Sequence, residues 1–207
     1  MQQGFMSLSH TILMLLAESA HSGYDLSKEF DECVGHYWQA TPQQIYRELS
    51  KLDGQGLVEA ETIAQEGRPN KKLYTITAAG KLKLVEWLTE PADPMSVRED
   101  LMVKMRGSHL IAPDAMLTEL QRRQAIHEEK LEVLRANERD RFANPDSLSD
   151  SEFVQYLTFR CGIRYESGWA AWCAEAIERI QQRVAQKQRE NEKKKGDRPI
   201  PSAEARL

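Results

Sequence analysis

Residues 41–77, TPQQIYRELSKLDGQGLVEAETIAQEGRPNKKLYTIT, constrain the fold of this chain more than any other stretch. They open with a complete helix start. Thr41 is placed to cap, Pro42 takes the first helical position, where its missing N–H costs nothing, and Gln44 sits where it can return the cap. Ile45, Leu49 and Leu52 then recur at i, i+4 and i+7, so one face turns inward. Gln43, Gln44, Arg47, Ser50 and Lys51 stay outside, with Tyr46 on the flank. Gly54 and Gly56 end the helix. Next come a strand, LVEAETIA, a tip, QEGRPNKK, and a second strand, LYTI, after which Thr77 caps another helix, AAGKLKLVEWL. These glycines follow a helix and precede a strand, the reverse of the order a nucleotide-binding loop requires.

Upstream, LSHTILMLLAES puts Leu8, Ile12, Leu15 and Leu16 on one stripe, with Ser7 or Ser9 available to cap. After a turn at AHSGYDL, Leu26, Phe30, Cys33 and Val34 continue at helical spacing in a second helix. Three helices, a hairpin and a further helix form the order of a winged helix-turn-helix. In that architecture the third helix enters the major groove and the hairpin, or wing, meets flanking backbone or minor groove.

Charge agrees only locally. The chain carries 28 Lys and Arg against 32 Asp and Glu, a net charge of -4, so anion binding must be confined to a patch. Between Arg68 and Val85 there are five cations, Arg68, Lys71, Lys72, Lys81 and Lys83, and no acid. A solvated hairpin tip is often basic on its own account, so it is the polar-faced helix beside it that points to DNA. Thr41 and Tyr46 are expected on phosphate oxygens, Gln43, Gln44 and Arg47 at base edges or nearby phosphates, and Arg68, Lys71 and Lys72 in the wing contact. Gln can bond adenine and Arg guanine in bidentate fashion, so this face can carry sequence information. The competing reading is a winged-helix protein-interaction module without direct DNA binding, which would have no need of a basic wing.

The segments LSHTILMLLAESAHSGYDLSKEF, TPQQIYRELSKLDGQGLVEAE, EGRPNKKLYTITAAGKLKLVEWL and SVREDLMVKMRGS resemble the PadR family of bacterial transcriptional regulators. YWQATPQQIYREL and YESGWAAW are most similar to its AphA-like branch of virulence and quorum-sensing regulators. The resemblance spans nearly all of residues 6–182, with Gly23-Tyr24, Ile45-Tyr46-Arg47, Gly67-Arg68 and Tyr74-Thr75-Ile76-Thr77 in order. It implies a homodimer with an N-terminal winged helix and a C-terminal α-helical dimerisation domain. The effector is left open, since family members include phenolic-acid sensors, multidrug binders and proteins with none known.

The second half reads independently as such a domain. After the linker TEPADPM, Ser96 and Glu99 form a capping box for the next helix. Beyond Pro113, Leu117, Leu120, Gln124, His127, Leu131 and Leu134 alternate by three and four, a coiled-coil seam with a polar centre that calls for a partner. Ser149 and Glu152 start a last helix whose Phe153, Tyr156, Leu157, Phe159, Ile163, Trp169, Trp172, Cys173, Ile177 and Ile180 spread around most of its circumference, as expected of a helix buried between two subunits. The expected boundaries are a DNA-binding domain at 1–90, a dimerisation domain at 91–186 and a tail at 187–207 that has little to bury and is expected to be frayed or disordered.

The five histidines pair with no acid or serine at a catalytic spacing, so no enzyme is expected. Cys33 and His36 form a C-x-x-H pair with too few ligands for a metal, and no cofactor is indicated. Three cysteines, Cys33, Cys161 and Cys173, at no disulfide-like spacing read as reduced thiols, and the N-terminal apolar run is too short to span a membrane, so a cytoplasmic protein is expected. Tyr37, Trp38, Trp169 and Trp172 are candidates to line a pocket for a small aromatic effector, against the alternative that they pack the domain and dimer interfaces.

Overall fold

The computed structural model describes residues 3–30, 34, 38–64, 70–94 and 98–196, the side chains of 3–7 and 194–196 excepted. The chain divides into two compact units, Met1–Met95 and Ser96–Leu207. Unit 1 runs α1 (Gln3–Glu18), β1 (His21–Ser22), α2 (Gly23–Glu29), α3 (Pro42–Gly54), β2 (Val58–Ile63), β3 (Lys71–Ile76) and α4 (Ala78–Leu88). Unit 2 holds α5 (Asp100–Gly107), α6 (Pro113–Arg141) and α7 (Asp150–Gly196), with short 3-10 turns at Ser108–Leu110 and Pro145–Ser147.

In unit 1 the apolar periodicities converge on one core. Ile12, Leu13, Leu15 and Leu16 of α1 meet Leu26, Phe30, Ile45, Leu49, Leu52, Val58, Tyr74, Ile76 and Leu84 in a single buried cluster. Its helix α3 starts as the sequence requires. The Thr41 hydroxyl accepts from Gln44 N at 3.3 Å while Gln44 Oε1 accepts from Thr41 N at 2.8 Å. It ends in a Schellman motif, with Gly56 N–H on Asp53 O and Leu57 N–H on Leu52 O. Gly56 supplies the positive φ, 68°, that the motif demands. Thr77 caps α4 by accepting from Gly80 N at 3.1 Å.

Two starts differ from expectation. Helix α1 begins at Gln3, and Ser9, proposed as a cap, lies within it and spends its hydroxyl on Glu48. The turn before α2 holds a capping box, with Ser22 Oγ accepting from Asp25 N while Asp25 accepts from Ser22 N. The residues just before it form β1, which makes the sheet three-stranded in the order β1-β3-β2, all antiparallel. Ser22 pairs with Leu73 and His21 with Tyr74. Two residues are too few to leave a periodicity in the sequence. Cys33 and His36 lie outside the described residues.

In unit 2, α6 and α7 pack as an antiparallel hairpin, as contacts such as His127 with Glu166 and Glu138 with Arg160 require. The partner that α6 calls for is therefore α7 of the same chain. Leu120, His127, Leu131 and Leu134 of the expected seam are buried, Leu117 and Gln124 only partly, and Met116 joins them. The α5 start is also corrected. Glu99 itself is the cap, extended at φ -121° and ψ 104°, and accepts from Leu101 N at 3.0 Å, so it is not the third residue of a box; Ser96 lies outside the described residues. Helix α7 does begin with Ser149 and Glu152 bonded reciprocally. Its helix continues past Lys187 to Gly196, where fraying is expected from the loss of apolar residues. Polar pairs one turn apart, such as Gln186 on Glu190 at 3.0 Å, support that stretch in place of burial.

Candidate nucleic-acid interface

Helix α3 presents two unlike faces. Ile45, Leu49 and Leu52 point into the core, while Gln43, Arg47 and Ser50, at i, i+4 and i+7, line the exposed side. Between them the sequence hides a surprise. Glu48 is only 3% exposed and stands where an apolar residue belongs. Ser9 Oγ of α1 donates to its carboxylate, and Lys51 Nζ lies 2.7 Å from it. A buried carboxylate thus ties α3 to α1, and an acid three residues after Ile45 on the inner stripe was the signal for it.

The cap limits what Gln44 can do. Its carbonyl oxygen already accepts from Thr41 N, which ties this end of the side chain to the helix start. Gln43 carries no such restraint in the capping box. Thr41 is exposed and accepts with its hydroxyl oxygen, which leaves the hydroxyl proton to donate outward. Tyr46 is half exposed, and its ring lies over Gly23 at the start of α2. A Cβ at Gly23 would come within 2.2 Å of Tyr46 Cε1, so glycine is what lets the two helices meet this closely. Tyr24, next in sequence, is 72% exposed.

The wing differs from its sequence picture. Arg68 and the rest of 65–69 lie outside the described residues. Lys71 and Lys72 are in β3 rather than on the tip, opposite Ile63 and Thr62. Lys72 is exposed. Lys71 reaches across the sheet to α2, where its Nζ is 2.9 Å from Asp25 Oδ2. The same carboxylate oxygen accepts from Ser22 N at 3.0 Å and Ser22 Oγ at 2.8 Å. Burial works to raise the Asp25 pKa, but the Lys71 and Ser22 hydrogen bonds outweigh it and bring it down to about 2.

The four aromatic candidates for an effector pocket do not form one group within either unit. Tyr37 lies outside the described residues, and Trp38 packs against the unit 1 core. Trp169 and Trp172 meet edge to face at 5.6 Å in unit 2, against Leu101, Met116, Leu120 and Cys173. Polar groups lie beside Trp169, of which the sequence reading names His127 and Glu99 but not Arg123 or Glu166. The ring of His127 stacks on it at 5.4 Å, and the Arg123 guanidinium lies 5.6 Å from its centroid. His127 Nδ1 is 2.5 Å from Glu166 Oε2, with both residues buried, and Arg123 pairs with Glu99 at 2.5 Å. Burial pushes the Cys173 thiol pKa up, whereas Cys161 is exposed. Among the described residues no cluster of His, Cys, Asp and Glu could hold a metal ion, and no helix is long and apolar enough to cross a membrane.

With this geometry in place, comparison with known proteins is direct. Residues 12–86 match the transcriptional regulator PadR-like family, and residues 97–181 match the virulence activator alpha C-terminal family. A protein of Mycobacterium tuberculosis named as a probable transcriptional regulator is 37% identical over 188 residues, covering 86% of this chain and all of the relative. The negative transcriptional regulator PadR of Bacillus subtilis is 34% identical over 80% of this chain and 92% of its own length. Its structure in complex with operator DNA superposes with a TM-score of 0.74 at 28% identity, over 84% of this chain and 99% of that one, and its complex with p-coumaric acid at 0.69 and 26%, over 87% and 99%. The virulence activator AphA of Vibrio cholerae gives a TM-score of 0.70 at 29% identity, over 84% of this chain and 98% of that one. The winged-helix fold with a C-terminal helical region is therefore that of PadR and AphA, and the chain belongs to the PadR-like family of transcriptional regulators.

Proposed function

We propose that this chain is a cytoplasmic, homodimeric, non-enzymatic regulator that binds a roughly palindromic operator, with a small aromatic effector modulating the binding. The observation that carries the reading is α3: a firmly capped helix, anchored by its core stripe and by buried Glu48, that presents Gln43 and Arg47 on an open face. Gln43 and Arg47 meet base edges or nearby phosphates. Thr41 and Tyr46 hold phosphate oxygens, and Gln44, whose carbonyl oxygen serves the capping box, uses its NH2 group to donate to a base edge or nearby phosphate. Arg68, Lys71 and Lys72 supply the wing contact. The DNA complex of the B. subtilis relative supports DNA binding, and its p-coumaric acid complex supports an aromatic effector, for which Trp38, Tyr37, Trp169 and Trp172 remain the candidate lining. Residues 1–90 are the reading head and 91–186 the dimerisation domain. Two-fold symmetry calls for half-site centres about one helical turn, ~34 Å, or a multiple apart.

The test is selection of bound sequences from random duplex DNA by the full chain. Recovery of an inverted repeat is expected. Arg47→Ala or Gln43→Ala should then cost roughly 1–3 kcal/mol on the recovered site and relax preference at one base pair per half-site. Arg68→Ala should weaken binding to specific and random duplex alike. A selection that enriches nothing, with binding insensitive to salt, would return the fold to the role of a protein-interaction module.

A further inference from the structure

The ion pair between Lys71 and Asp25 joins a wing strand to the first turn of α2, and its two ends are held differently. Oδ2 of Asp25 accepts from the backbone and the hydroxyl of Ser22, three residues back, so the carboxylate is fixed to its own turn. The β1–β3 ladder sets Ser22 opposite Leu73, and Lys71, two residues from Leu73 on the same strand face, is thereby delivered beside that turn. Lys71 contributes a flexible four-carbon arm that can reach elsewhere, while Asp25 has nowhere to go. Both side chains are more than a third exposed, 39% and 36%, and a pair so exposed adds little to stability. Holding the fold together is therefore a poor explanation for it.

A carboxylate oxygen offers a lysine what a phosphate oxygen offers, a charged acceptor at hydrogen-bond distance. We infer that Asp25 is a built-in competitor for DNA phosphate: it occupies Lys71 at the edge of the reading surface and limits the affinity of the protein for duplex of any sequence. The inference rests on the DNA-binding reading above. Non-specific binding comes almost wholly from phosphate contacts, so a regulator gains by withholding one cation from random duplex and releasing it only on its operator.

Asp25→Asn tests this in the full-length dimer, with affinity for random and operator duplex measured against salt. The neutral amide keeps a hydrogen-bonding group at the Ser22 cap but gives up its hold on the ammonium. The variant should bind random duplex more tightly, with a slope of log affinity against log salt steeper by about 0.9 per subunit. Its advantage over the unchanged chain should shrink roughly tenfold between 50 and 200 mM salt. Because the expected effect is a gain, loss of fold cannot imitate it. Adding Lys71→Met to Asp25→Asn should abolish the gain. If the gain survives without Lys71, Asp25 acts by general repulsion and the competition is refuted. No gain at all with Asp25→Asn refutes it as well. An unchanged chain that dimerises but binds no duplex at any salt would instead remove the DNA reading, and this inference with it.

Discussion

Unit 1 gathers its apolar side chains into one buried cluster drawn from α1, α2, α3, α4 and the sheet, with Leu82, Val85 and Leu88 of α4 the main group left out in solvent. Unit 2 builds two smaller clusters along one helical hairpin, Leu131, Leu134, Phe142, Phe159 and Ile163 in one and Leu101, Met116, Leu120 and Cys173 in the other. The buried pair of His127 and Glu166 falls between them along both helices. Phe153, Val154, Leu157 and Tyr165 of α7 remain 45–57% exposed. Residues 153, 157 and 165 repeat at multiples of four, so they share a side of the helix. The contrast teaches how the work is divided. Unit 1 spends its apolar residues on a rigid platform for one polar helix face, whereas unit 2 buries one side of α7 against α6 and leaves the other for a second copy, in line with the homodimer proposed above.

The largest expected effect falls on the closed core. Leu49 is 0% exposed on the inner face of α3, and Leu49→Ala should cost about 4 kcal/mol, within the usual 2–5 kcal/mol for such a truncation. Urea unfolding followed by circular dichroism reads the loss. A cost below about 1 kcal/mol would mean that unit 1 can repack around the gap and is less rigid than its single cluster indicates.

Unit 2 should break at its polar centre. Glu166→Ala removes the hydrogen-bond partner of His127 Nδ1 in a site with little access to water, and should destabilise by roughly 3 kcal/mol. Replacing both together, His127→Leu with Glu166→Leu, should return most of that loss, because an apolar layer would then join the two clusters into one. If the double variant is as unstable as the single, the pair is worth more to the hairpin than an apolar layer. The same urea titration decides between these outcomes.

The exposed side of α7 should behave in the opposite way. Leu157→Lys should change the stability of a single chain by no more than about 0.5 kcal/mol, since the side chain is half exposed already. It should weaken self-association about tenfold, equivalent to about 1.4 kcal/mol, when dimerisation is followed by analytical ultracentrifugation. An unaltered dimer would move the interface off this side of the helix.

The same contrast explains what could be read from the amino-acid order. Where local chemistry decides the outcome, most of the reading holds: Thr41-Pro42 with Gln44 starts α3, Gly56 ends it, Thr77 starts α4, and Ser149 with Glu152 starts α7, while at α5 Glu99 alone caps in place of the expected box. Where a long-range partner decides it, the sequence is silent or misleading. A two-residue strand such as His21–Ser22 exists only because β3 is there to pair with it. Glu48, an acid on the inner stripe of α3, can be buried only because Ser9 and Lys51 close around it. Lys71 looks like a wing-tip cation until the ladder places it in β3 beside Asp25. The seam of α6 was legible as a stripe that needs a partner, but no periodicity states whether that partner lies on the same chain.

The smallest expected effect concerns two carboxylates that do parallel work in the two units. Asp25 closes the capping box of α2 and holds Lys71, while Glu99 caps α5 and holds Arg123. Both titrate below their ordinary values. For Glu99 the first cause is the backbone N–H of Leu101, with Arg123 adding to it against the cost of burial. Since Asp25 falls from 3.8 to about 2 on folding, its contribution to stability is complete above about pH 4 and is lost as the pH drops toward 2. Both members of its ion pair are more than a third exposed, so the contribution should be no more than about 1 kcal/mol once solvent screening is allowed for. The urea midpoint of the unchanged chain should therefore exceed that of Asp25→Asn at pH 5, and the gap should narrow as the pH is lowered to 2. Salt at 1 M should weaken the part owed to Lys71 and spare the part owed to Ser22, because screening acts on the charge pair far more than on short hydrogen bonds within one turn. A gap that does not move between pH 5 and 2 would mean that Asp25 titrates alike in the folded and unfolded chain. The cap and the lysine would then hold its carboxylate too loosely for it to compete with a phosphate.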